Sequence, residues 1–291
     1  FDAAHDRVTR GYGISEALNA PLARPSCAAW LAHIKFNLNE YRGMLPLLRF
    51  VLKDAPRDDH QALARASLVL ADAVHFAGDF LLARPWYDAA RQHATQEGDD
   101  ATMSALLHNV AAFRATNARL AHALGERLPD EVHRATLEAN SARSYDRAIG
   151  TRGFEYLVPL LSGQLLLVDG DTSKALATLQ SIDASNLPSR LHAVLLADLA
   201  YCSIESGHIA DSVVHLDRAL TLLGEDMDAD DAAYALCRLA QVCQAVGRTS
   251  KAVELAAIAT SAIQRNRSAQ QSLLDMLRQL IAELPPSTGP Q

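Results

Sequence analysis

Apolar positions recur along most of the chain at a spacing of three and four residues, the signature of amphipathic helices rather than strands. The pattern is clearest between Ala73 and Asp99. An apolar helix ends near Phe76 and a two-residue turn, Gly78-Asp79, follows. A second helix then alternates small Ala83 and Ala90 with large Phe80 and Tyr87. Weaker copies recur after Gly170, Gly207 and Gly247. Seven residues before these four glycines stand Ala71, Gly163, Ala200 and Ala240, and five residues after them stand Ala83, Ala175, Ser212 and Ala252. Glycine ends a helix in the left-handed region without steric cost. A small residue on each side lets the two helices of a pair approach closely. The chain therefore reads as an all-α array of helix–turn–helix units, roughly three-quarters helical against the one-third typical of globular proteins.

Taken in order, residues 1–24 read as a helix, a break at Gly11-Tyr12-Gly13 and a short helix that ends an upstream repeat or caps the array. Pairs follow from about residue 25 to 266. The first has helices over Cys27–Leu38 and Tyr41–Leu52, and the second begins near Gln61. The third is ATMSALLHNVAAFRA followed by ARLAHALGERL. The segment 129–150 adds one more polar-faced helix, either an insertion or the true second helix of pair three. Three further pairs follow. In 267–284, Leu273, Leu277, Leu280 and Leu284 form a stripe that faces one partner. That partner is the rest of the array, for a capping helix, or another chain, for a dimer coil or signalling linker. Residues 285–291 read as a linker or disordered tail.

Composition narrows the chemistry. Twenty-seven basic against 34 acidic side chains leave a net charge of −7, which disfavours direct nucleic-acid binding by this region. No apolar run approaches the ~20 residues of a membrane helix. Four cysteines, Cys27, Cys202, Cys237 and Cys243, show no CxxC spacing and read as reduced thiols, three of them in apolar helical stretches, pointing to the cytoplasm. The chain starts at Phe1 and reads as a piece of a longer protein. The acidic run 224–231 fails as a calcium loop begun at Asp226, because Asp231 and Cys237 stand where Gly and Glu are needed. It reads instead as negative charge at a helix N-terminus. No two of the eleven histidines lie three or four residues apart, and GxSxG, GxxxxGK[ST] and GxGxxG are absent. Neither catalytic residues, a cofactor nor a metal site is expected.

The segment GDFLLARPWYDAA at 78–90 resembles the GDYxxAxxxYxxA stretch of the tetratricopeptide repeat (TPR) family, and the likeness covers residues 25–265. Units begin near 25, 64, 104, 156, 193 and 233, so the steps of 39, 40, 52, 37 and 40 residues exceed the family's ~34. Stretched repeats of this kind resemble the sensory segments of bacterial regulators, namely large transcription activators and some diguanylate cyclases. The resemblance implies a right-handed superhelix whose concave groove, lined by first helices, takes a protein, a peptide or a small effector. The alternatives are a constitutive assembly scaffold, homodimeric or recruiting a partner, and, as an outsider, an enzyme. Lys35 and Asn39 have the spacing of a family carboxylate clamp but lie at the turn end of their helix, so that role is not carried over. By the family's groove positions the wall would be His33, Phe36 and Asn37; Arg65, Asp72, His75 and Phe76; His108; Gln164; Tyr201 and Glu205; and Tyr234, Gln241 and Gln244. Arg65, Asp72 and His75 make the second unit the richest site. Removing Arg65 and Asp72 together is expected to abolish binding with little effect on thermal stability.

Overall fold

The computed structural model describes residues 2–18, 20, 23–151, 156–224 and 227–284. Among these it is 85% helical, with 13 α-helices and no strand. In chain order they are α1 (Asp2–Ala17), α2 (Ala23–Asn37), α3 (Tyr41–Asp54), α4 (His60–Phe76), α5 (Phe80–Glu97), α6 (Asp100–Ala123) and α7 (Pro129–Ile149). They continue with α8 (Val158–Asp169), α9 (Thr172–Gln180), α10 (His192–Glu205), α11 (Ile209–Leu222), α12 (Ala229–Ala245) and α13 (Thr249–Glu283). No described helix is long and apolar enough to cross a membrane. The chain divides into two compact units, one of Phe1–Asn109 with Ala269–Gln291 and one of Val110–Ser268.

In the first unit α2 packs on α1, α3 and α4, and α4 packs on α5. The turn between α4 and α5 shows how two residues join two helices. Gly78 sits at φ +94°, where its N–H reaches His75 O and the next N–H, of Asp79, reaches back to Val74 O. Asp79 then caps α5 by accepting a hydrogen bond from Leu82 N at 3.0 Å. Ala71, Ala83 and Ala90 are fully buried, so the small positions are where backbones meet. The C-terminal part of α13 belongs to this unit. Leu273, Leu277, Leu280 and Leu284 are all buried, Gln270 Nε2 donates to Phe76 O at 2.7 Å, and Arg278 pairs with Asp79. The leucine stripe thus faces its own chain.

In the second unit α10 is the hub, touching α9, α11 and α12, while α8 packs on α7 and α9. Close approach is again visible at the small positions. Ser212 Oγ donates to Ala200 O at 2.8 Å, and a Cβ on Gly163 would lie 2.6 Å from Leu179 Cδ2. α7 is the packing partner of the second part of α6. Ala111 and Ala115 join Ala135 and Ala139 in one small core, and Arg114 binds Glu131 and Glu138 of α7 at 2.5 and 2.9 Å.

Four expectations need correction. Gly11 and Gly13 do not break α1, because a glycine within a helix costs only about 1 kcal/mol. The two helices expected over 101–128 are the single α6, and the last pair's second helix and the 267–284 helix are the single α13. Neither α6 nor α13 contains a Gly or Pro that would end it early, and α6 stops just before Gly125. Trp30 and Leu38 share a helical spacing with the apolar residues Leu31 and Ile34, which predicts burial, yet they are 41% and 39% exposed. Residues 152–155, just before the fourth unit's start near 156, part of the acidic run (225–226) and the tail 285–291 lie outside the described residues.

Candidate functional site

The polar residues expected along an open inner wall are in large part interior. In the first unit Arg65, Asp72 and His75 are 7%, 2% and 3% exposed. The Arg65 guanidinium lies 4.1 Å above the Trp30 ring and donates to Thr102 Oγ1 at 2.9 Å. Asp72 accepts from Tyr87 Oη at 2.9 Å and from Asn109 Nδ2 at 2.7 Å. His75 Nδ1 lies 3.2 Å from the same Tyr87 oxygen. Because that hydroxyl donates to Asp72, it accepts from the imidazole, and the three form one chain from His75 to Asp72. Burial drives the Asp72 carboxyl up to about 7, against the opposing pull of Tyr87, Asn109 and Arg65. Burial, then Arg65, lowers the imidazole of half-buried His33 to about 4. Phe36 and Phe76 stack edge to face at 6.1 Å beside Tyr41, Asn37 is exposed, and His108 is buried.

The second unit repeats the device with other residues. Asp198, fully buried on α10, accepts from Tyr234 Oη of α12 at 2.5 Å and from Gln164 Nε2 of α8 at 3.0 Å. Arg238, also fully buried, donates to Tyr234 Oη and to Gln241, and lies 2.6 Å from His122 Nδ1 of α6. Its guanidinium sits 4.2 Å over the Tyr201 ring. Gln241 Nε2 donates to Ala123 O, and Arg119 pairs with Asp231. Burial raises the Asp198 carboxyl and the Tyr234 hydroxyl and, with Arg238 and Arg127, lowers His122 to about 4. First helices of distant pairs, α6 and α12, are therefore bridged directly. Among the expected wall residues here, only Glu205 and Gln244 are exposed, with Tyr201 and Gln241 half-buried. The open polar wall expected in this unit is a filled interior. Polar groups at apolar-period positions point inward because each finds a partner, which a single helix's pattern cannot reveal.

An opening does exist elsewhere in the first unit. A cleft of about 360 Å³ lies between the end of α3, the start of α4, one face of α5 and Leu284. Its polar wall carries Lys53, Arg57, His60, Gln92, His93 and Gln96, and its apolar wall includes Leu52, Leu63 and Trp86. The rings of His60 and His93 are 5.2 Å apart with their Nδ1 atoms at 2.9 Å, so one donates to the other. Burial, and then the neighbouring His60, lowers the His93 imidazole. Both rings are held by packed helices, His60 at the first position of α4 behind its Asp59 cap, His93 within α5. None of these residues was singled out from the sequence. The one signal was the separation of 33 residues between the histidines, close to a repeat length, and it has no local spacing to mark it. No group of three or more His, Cys, Asp or Glu among the described residues could hold a metal ion. Comparison with protein-family models and with curated proteins finds no match.

Proposed function

We propose that this chain is a TPR-like stack of antiparallel helix pairs that works without catalysis, as a binding and sensing module of a larger regulatory protein. Its ligand site, in this reading, is the cleft between α3, α4 and α5. The repeat geometry is supported by the small–glycine–small registers and by the close approaches at Ser212 and Gly163. The choice of site is carried by one observation. The first unit offers a concave opening with a few convergent polar groups on a partly apolar wall, the usual make-up of a small-molecule site. The inner stripe, where the family resemblance would put the ligand, is largely occupied by the protein's own side chains.

The test is a thermal-shift screen of small metabolites and short peptides against the wild type and Ala89→Trp. Ala89 lies on the cleft wall and is only half-buried, so the indole fills the opening rather than the core. Compounds that raise the wild-type melting temperature should lose that effect in the variant, since a ligand stabilises only the state that binds it. Stabilising compounds that act equally on both proteins would move the ligand site away from this cleft.

A further inference from the structure

The cleft is cationic on a chain that is acidic as a whole. Net charge is −7, yet the lining holds the cations Lys53 and Arg57 beside the His60–His93 pair, and no carboxylate. Asp58 and Asp59 precede His60 in the chain but do not line the cleft, and Asp59 is turned to the α4 backbone, accepting from Ala62 N at 3.1 Å. The two imidazoles meet through their Nδ1 atoms, so the ring that accepts there carries its proton on Nε2 and can donate it to another partner. The same lining includes the apolar Leu63 and the buried Trp86. A volume of about 360 Å³ sits at the small end of the range for organic ligands.

We propose that the cleft binds a small organic anion, a carboxylate carried on an apolar or aromatic body, with the charge at Lys53, Arg57 and the histidine pair and the body against Leu63 and Trp86. This rests on the cleft being the ligand site, as proposed above. Lys53 and Arg57 supply charge-assisted donors for a carboxylate, and the apolar wall adds affinity only for a ligand with a body to bury. A bare inorganic anion would leave half of the wall unused.

The experiment is NMR titration of the full chain at pH 7 with 2-naphthoate, its neutral analogue 2-naphthamide, and inorganic phosphate, a method that registers millimolar binding. Naphthoate should shift the His60 and His93 ring signals and the Ala89 amide. In Lys53→Gln, Arg57→Gln its affinity should fall at least about tenfold, the loss expected when two charge-assisted contacts go. Both side chains are exposed, so the variant folds as the parent does. Equal binding of naphthamide would overturn the anion while leaving the site in place. Phosphate binding as tight as naphthoate would overturn the apolar body. Silence of the cleft signals with all three probes would overturn the site itself.

Discussion

A carboxyl held up near neutrality makes Asp72 a reporter on its own surroundings. The folded-state value of about 7 lies well above the ordinary aspartate range. Between the two, the folded protein keeps a proton that the unfolded chain has lost. The resulting stability is complete below about pH 4 and drains away as the pH rises to about 7. In urea denaturation at pH 5, 6 and 7, Asp72→Asn should remove a slope of up to about 1 kcal/mol per pH unit. Wild type and variant falling in parallel would mean that Asp72 is ionised throughout. The joint Arg65→Ala, Asp72→Ala change now carries a different expectation from the one its sequence positions suggested. It strips partners from Tyr87, Asn109 and Thr102 inside the protein, so it should destabilise by several kcal/mol, at about 1–3 kcal/mol per orphaned group. The sequence pattern marked Arg65, Asp72 and His75 as unusual but could not tell a polar residue facing a ligand from one facing its own neighbours.

At the scale of the helix pair, the spacing of small residues carries most of the information. Gly163 faces Leu179 so closely that a methyl group has no room, and Gly163→Ala should cost about 1–3 kcal/mol through overpacking. Gly78→Ala meets open space but a φ of +94°, so its cost, about 1 kcal/mol or more, comes from the backbone alone. In a Leu179→Ala background Gly163→Ala should cost less than in the wild type, while no side-chain change should lessen the cost of the second. Chemical denaturation of the single and double variants separates the two causes. Turns and close approaches were legible because they demand particular residues at fixed offsets. Helix continuity was not, since α6 and α13 run on through stretches where nothing stops them and a regular repeat beat suggests a stop.

At the scale of the molecule, the cleft was invisible in the sequence because its wall is gathered from residues 52 to 96 and from Leu284, with no motif linking them. The interior network of the second unit was equally hidden, for Asp198 meets partners on α8 and α12, and α12 in turn meets α6. That network has a consequence for modularity. An ordinary repeat stack can lose an end unit at the cost of a single interface, and can fray from that end. Here, excising α10 and α11 would strand Gln164 and Tyr234 together, and peeling α12 away would expose Asp198 and His122 at once. The second unit should therefore unfold as one block. Hydrogen exchange under mild denaturant should give its inner helices a common opening energy, whereas a graded series from α12 back to α8 would describe a chain of independent bricks. Such a segment cannot be lengthened or shortened by copying a repeat.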